Sequence, residues 1–201
     1  KPFLRAYDSI LKEDIFDSVN ELPFVIVGSG LAAIEVSYAL RKRWGDRPLK
    51  LLCDSRKINN KILKSLRNSN IDLVEKLNFD YGKILLCTGN TSPLWAQKKL
   101  LDSDSYGRII TNQNLQIKSF SGIFAVGDCA VVGSAKRPAS GVFAVKVVNT
   151  LVQNLKKDIE GRSLKKWFPQ KIGLQIVNIF PSHHPKAFAI YRNFVFGPSF
   201  I

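Results

Sequence analysis

Methionine is absent from this 201-residue chain, and histidine occurs only as the adjacent pair His183-His184. Neighbouring histidines project in different directions and no third ligand lies near them in sequence, so the pair reads as a turn between Pro181 and Pro185, not a metal site. Cysteine is scarce as well. Cys53, Cys87 and Cys129 each stand alone at the end of an apolar run, which excludes dithiol exchange of the Cys-x-x-Cys type and suits a reducing, cytoplasmic setting. No apolar run approaches the ~20 residues of a membrane helix. The opening residues Lys1-Pro2-Phe3-Leu4-Arg5 lack the apolar core of a signal peptide. Acidic residues are few, 16 against 30 lysines and arginines, for a net charge of +14. The basic residues fall in short groups such as Arg41-Lys42-Arg43 and Lys165-Lys166 and do not interleave with aromatics as base-stacking platforms do. The charge therefore reads as a solvated surface, with a basic nucleic-acid-binding domain as the alternative.

What is present is a core and two glycine-bearing strand ends. A hydrophobic content of 45% is enough for one or two compact units, and low-complexity tracts are missing. From Pro23 the chain runs through an apolar strand into Gly28-Ser29-Gly30-Leu31-Ala32-Ala33 and then a helix to about Trp44, broken at Gly45-Asp46-Arg47-Pro48. In this spacing Gly28 allows a tight turn, Gly30 a close backbone approach of a pyrophosphate, and Ala33 close packing of helix on strand. The helix start contributes free N–H groups and a partial positive charge toward the phosphates. A second strand, Leu49 to Cys53, ends at Asp54, placed to accept hydrogen bonds from ribose hydroxyls and to repel a 2′-phosphate. Arg56 and Lys57 follow and could instead hold that phosphate, so NAD is favoured and NADP stays open. Further elements are expected as a helix around Ile58 to Leu66 and strands at 71–74 and Lys83 to Cys87, the last ending in Thr88-Gly89.

The second strand end is Ser121-Gly122-Ile123-Phe124-Ala125-Val126-Gly127-Asp128, preceded by segments at 107–111 and 115–117 that look like short antiparallel strands. A helix is expected over about 140–159, with Ala144, Val148, Leu151, Val152, Leu155 and Ile159 on its apolar face. The tail, from Ile172 onward, reads as a β-hairpin with a third strand at Phe194 to Phe196.

Taken in this order, the two motifs resemble the flavoprotein reductases that carry electrons from NAD(P)H to FAD, near the type II NADH dehydrogenases. The first matches their NAD(P) motif and the second their late FAD motif. The resemblance implies an α/β, Rossmann-like FAD/NAD(P)-binding fold lacking its N-terminal FAD half, with a C-terminal antiparallel region. It assigns Gly28, Ser29, Gly30, Leu31, Ala33 and Asp54 to the nucleotide and sets Glu35 near the nicotinamide. Thr88 and Gly89 become the return toward the FAD domain. Asp128, after Gly127, becomes a partner of the ribityl chain, with Gly141 and Val142 beside the flavin ring. The stretch Arg137 to Val145 and then Trp167-Phe168-Pro169-Gln170 resembles, more narrowly, the NADH-dehydrogenase-like region fused to selenide, water dikinase.

The expected division is a lead-in helix over 1–22, an NAD(P)-binding domain over 23–91, the end of an FAD domain over 92–165, and a hairpin region over 166–201. The expected activity is hydride transfer from NADH to FAD and on to an unknown acceptor, by the complete chain rather than by this piece alone. A non-catalytic nucleotide-sensing module of the fusion is the alternative. Expected partners are NADH, FAD, the absent FAD half, a fused selenophosphate synthetase domain and a second copy of the fragment, without a membrane span.

Overall fold

The computed structural model describes residues 22–89, 101–133, 141–170, 172–179 and 186–200. The lead-in helix expected before Leu22, the histidine pair and the Arg137 to Ser140 loop lie outside the described residues. No helix among them is long and apolar enough to cross a membrane, and no three metal-ligating side chains gather there.

The chain forms two compact units. In the first, β1 (Phe24–Val27), α1 (Leu31–Trp44), β2 (Leu49–Leu52), α2 (Asn60–Asn68), β3 (Asp72–Val74) and β4 (Lys83–Leu86) follow one another. The four strands make one sheet in the order β3-β2-β1-β4, each pair parallel, with Ile26 opposite Leu51 on one side and Leu85 on the other. β1 is central and apolar on both faces, as a parallel strand covered by helices must be. Phe24, Val25, Ile26, Ile34, Leu49, Leu51, Leu66 and Ile71 are almost fully buried. Each aliphatic side chain so buried contributes about 1.5–3 kcal/mol before entropy is counted. At the far end of α1, Trp44 meets the Phe24 ring edge-on at 5.0 Å, and the Arg47 guanidinium lies 4.5 Å from the Trp44 centroid. The same unit takes in Ile176–Ala189 and Val195–Ile201 of the C-terminal sheet, so it joins segments from both ends of the chain.

That sheet has the order β7-β8-β9, from β7 (Gln175–Ile179), β8 (Lys186–Tyr191) and β9 (Phe194–Phe200), and it is antiparallel as expected.

The second unit, Asn90–Gln175 with Ile190–Phe194, departs from expectation in detail. β5 (Ile109–Thr111) pairs in parallel with β6 (Ala130–Val132), a strand that follows Gly127-Asp128 instead of preceding it. The expected strand over Ile123 to Val126 is reduced to one antiparallel bridge, Gln116 with Phe124, and the segment at 115–117 touches Thr111 through another bridge. Ile109, Ile117, Ala125 and Ala130 form one buried cluster. Leu115, Val132 and Val147 form a second, beneath α3 (Gly141–Ile159). α3 itself turns a different face inward from the one its apolar residues mark: Phe143, Val147, Thr150 and Asn154 are buried, while Val148, Val152, Leu155 and Ile159 are exposed. Asn154 is anchored on that buried face. Its amide donates to the carbonyls of Asn114 and Lys165, both at 2.9 Å, and its oxygen accepts from the Lys165 N–H at 2.7 Å. In the same unit, Asp104 accepts from Arg108 Nε at 2.8 Å and from the backbone N–H groups of Arg108 and Tyr106.

Candidate functional site

In the first unit the sheet order reverses direction between β1 and β4, and the crevice outside the carboxyl ends of such strands is where open α/β sheets bind ligands. Gly28 sits at that point with φ of +150°, its N–H donating to Leu52 O at 3.0 Å. A Cβ here would overlap the carbonyl oxygen of Cys87, at the end of β4, and would stand 3.2 Å from Ala33 Cβ. Only glycine fits between the two strand ends. Gly30 is different: it precedes α1 with ordinary φ of −85°, is exposed, and a Cβ would meet nothing within 4 Å. The first turn of α1 holds no acid and Gly30 provides no side-chain cap. The first N–H groups of α1 therefore have no side-chain cap, and Gly30 keeps the space beside them free of a Cβ. These residues fit a pyrophosphate in charge, in hydrogen-bonding capacity and in room.

Two contacts brace the loop. Ser29 Oγ accepts from the Asp54 N–H at 2.9 Å, tying the turn after β1 to the end of β2. Leu31 is half-buried, and Ala33 is fully buried where α1 crosses the sheet. Asp54 itself is engaged by its own neighbours: Arg56 Nε and Nη2 reach its two oxygens at 2.9 and 3.1 Å, and Lys57 Nζ lies at 3.7 Å. The Arg56 hydrogen bonds hold the Asp54 carboxyl below the usual carboxylate range. Arg56 is 88% exposed, so this fork lies on the surface and competes with whatever else approaches Asp54.

Glu35 projects from the first turn and a half of α1 and accepts from the Asn178 N–H of β7 at 3.0 Å. No motif signals this contact, which joins positions 143 residues apart. Thr88 and Gly89 follow β4, both exposed, with Gly89 at φ of +129°.

The remaining expected residues belong to the second unit. Gly127, Asp128 and Cys129 form a single 3-10 turn in which Gly127 has φ of +76° and packs with its Cα side toward Ala144, in the first turn of α3. Asp128 is exposed. Gly141 opens α3, also exposed and with open space where a Cβ would be, and Val142 packs against Gly173. The carboxylate and the start of α3 thus belong to one local construction, as the sequence order suggested.

No protein-family model matches the chain. Among curated proteins it is similar to human ferroptosis suppressor protein 1, 24% identical over 194 residues, and to a probable NADH dehydrogenase of Dictyostelium discoideum, 26% identical over 176 residues. These alignments cover 78% and 65% of the chain but 51% and 39% of the relatives. The chain spans about half the length of the curated relatives it matches. Among solved structures, the ferredoxin reductase of the CYP199A2 system from Rhodopseudomonas palustris superposes over 92% of the chain and half of its own, with a TM-score of 0.64 at 14% identity. An NAD-dependent persulfide reductase from A. fulgidus superposes over 85%, with a TM-score of 0.61 at 19% identity. The chain has the fold of the FAD/NAD(P)-binding reductases. The names of these relatives and neighbours include a probable NADH dehydrogenase, a ferredoxin reductase and an NAD-dependent persulfide reductase.

Proposed function

We propose that this chain supplies the pyridine-nucleotide site, and part of the flavin site, of an FAD-dependent NAD(P)H oxidoreductase. The observation that carries the reading is the pairing of Gly28, locked between β1 and β4, with Gly30, open at the start of α1. A bare strand-to-helix turn requires only the first. The curated similarity to a probable NADH dehydrogenase supports the same class.

In this reading the N–H groups at the start of α1 bind the pyrophosphate, whose negative charge the helix end favours by about 0.3–1 kcal/mol. Asp54 takes the ribose hydroxyls when Arg56 turns away, and Ser29 keeps the two loops in register. Glu35, fixed by Asn178, sets the distance between α1 and β7 on the nicotinamide side. Asp128 holds a ribityl hydroxyl, while Gly141 lets the α3 terminus approach the ring. When bound, the two cofactors supply the redox chemistry, hydride passing from the reduced nicotinamide to the flavin. The protein contributes orientation and fixed dipoles. The domain division, with an NAD(P)-binding part before residue 92 and an FAD-domain part after it, belongs to this proposal. So do the absent N-terminal FAD half, the unknown acceptor and the fusion to selenide, water dikinase. The fusion rests on the likeness of Arg137 to Val145 and of Trp167 to Gln170 alone.

Titration of the chain with NADH, followed by quenching of tryptophan fluorescence, tests the site. Saturable binding that Gly30→Val abolishes is the expected result; binding unchanged by that variant overturns the assignment.

A further inference from the structure

A cleft of about 360 Å3 opens within the first unit between α2 and the C-terminal sheet. α2 lines it with Lys61, Lys64 and Ser65, and the sheet with Lys186, Phe188 and Ile179. Phe188 and Ile179 are buried and make an apolar floor, while Lys61 and Lys64 are exposed at its rim. None of the glycine-loop residues contributes, and no described residue of the lining is acidic. Lys61 Nζ donates to Val195 O at 3.2 Å, which fastens α2 to the start of β9 and leaves that ammonium further donors.

Lysines on a helix ordinarily spread into solvent, where their mutual repulsion is least. Here Lys61 and Lys64 of α2 and Lys186 of β8 line one concavity, with Ser65, whose hydroxyl also reaches the Tyr38 hydroxyl, in the same lining. A cationic rim over an apolar floor is complementary to an anion carried on an apolar body. Lysine recognises phosphate as a compact point charge, without demanding the planar geometry of a carboxylate–arginine pair. The volume lies at the lower end of small-ligand pockets, about 300–1,000 Å3, and admits one ring or short chain with its head group.

We propose that this cleft is a second ligand site, separate from the nucleotide site and independent of it, which binds a small phosphate monoester of an aromatic or aliphatic alcohol. The phosphate sits between Lys61, Lys64 and Lys186 with Ser65 donating to it, and the apolar part lies on Phe188 and Ile179.

The probe is phenyl phosphate, titrated into the 15N-labelled chain with NADH present in excess, with inorganic phosphate and phenol as separate arms. Shifts are expected at the amides of Ser65, Phe188 and Gly197, with saturation. Inorganic phosphate and phenol should each bind at least about tenfold more weakly, because each satisfies half of the cleft. Lys61→Gln/Lys64→Gln should weaken phenyl phosphate by about tenfold, while Lys156→Gln/Lys166→Gln, which removes the same charge from the other unit, should change it less than about twofold. Should the first pair fail to fold, exposed Lys64→Gln alone carries the test. Shifts mapping elsewhere, equal loss in both pairs, or inorganic phosphate binding as tightly as the ester would overturn the proposal. Phosphatidylcholine vesicles containing phosphatidic acid form a further arm. Retention that the Lys61/Lys64 pair abolishes would reassign the cleft to a membrane surface, and retention equal in all variants reports only the general basic charge.

Discussion

The backbone N–H of Asn178 donates to the Glu35 carboxylate at 3.0 Å, so an acid in the first helix is anchored by a strand near the other end of the chain. Glu35→Ala removes an ionised acceptor from a half-buried N–H and is expected to cost about 1–3 kcal/mol in urea unfolding. Glu35→Gln keeps an acceptor oxygen and should cost less than half as much. If the same glutamine variant also weakens NADH binding while stability is held, Glu35 acts on the nucleotide as well as on β7.

Gly28 and Gly30 should respond in opposite ways. Gly28→Ala drives a Cβ into the Cys87 carbonyl at a φ that alanine rarely adopts, and is expected to destabilise by about 2–4 kcal/mol. Gly30→Ala meets neither obstacle and should leave the melting temperature within a few degrees, yet weaken NADH by about tenfold. Thermal melts and nucleotide titrations on both variants decide it; equal stability of the two would refute the packing argument.

On the proposed assignment NADH should bind more tightly than NADPH, because Asp54 would accept ribose hydroxyls and oppose a 2′-phosphate. The Arg56 fork qualifies how. Arg56→Ala releases the carboxylate and should leave NADH binding equal or tighter while weakening NADPH, and Asp54→Ala should do the reverse. Tighter NADPH binding by the unaltered chain would promote Arg56 and Lys57 to the nucleotide contacts.

Asp104 gives the second unit an acid-sensitive contact. Burial alone would raise its carboxyl, but the hydrogen bonds from Arg108 and from the Arg108 and Tyr106 N–H groups outweigh this and leave it below the usual value. A carboxylate lowered on folding adds stability above its unfolded value, and that stability disappears as pH falls through the folded one. Asp104→Asn should therefore cost about 1–2 kcal/mol at neutral pH, and the gap to the unaltered chain should close on acidification. Denaturant unfolding at pH 7 and below the carboxylate range measures both ends.

Flavin separates the two motifs. Asp128 and the α3 terminus are expected to hold only the ribityl and ring end of FAD, so the 201-residue chain should carry FAD well below stoichiometry. In a longer chain that includes an FAD half, Asp128→Ala should release flavin, read from absorbance after desalting. Stoichiometric FAD on the short chain would show that the second motif has been misassigned.

The glycine spacing made β1, α1 and β2 legible before any coordinates, because the strand–turn–helix order and the pyrophosphate geometry constrain the same few residues. α3 was legible as a helix but not in its orientation. Apolar periodicity marks Val148, Val152, Leu155 and Ile159, whereas the buried face carries Asn154, whose three backbone hydrogen bonds no hydrophobic pattern records. The parallel pairing of β5 with β6 was hidden for a related reason. Ile109–Thr111 and Ala130–Val132 are each three residues long, too short to carry a period. Contacts such as Glu35 with Asn178 use the main chain of one partner and leave no residue signature there.

The placement of β4 at the end of its sheet has a bearing on how the chain behaves at high concentration. Its inner side is paired with β1, and its outer row of N–H and C=O groups has no strand beside it among the described residues. Leu86, 68% exposed, sits on that row. A bare strand margin of this kind is a template onto which another extended segment can hydrogen-bond, and natural sheets restrain it with charge. Lys83 supplies such a charge at one end only, so the margin near Leu86 is where one copy should add to the next, and Leu86→Lys should lower the light scattering of concentrated solutions.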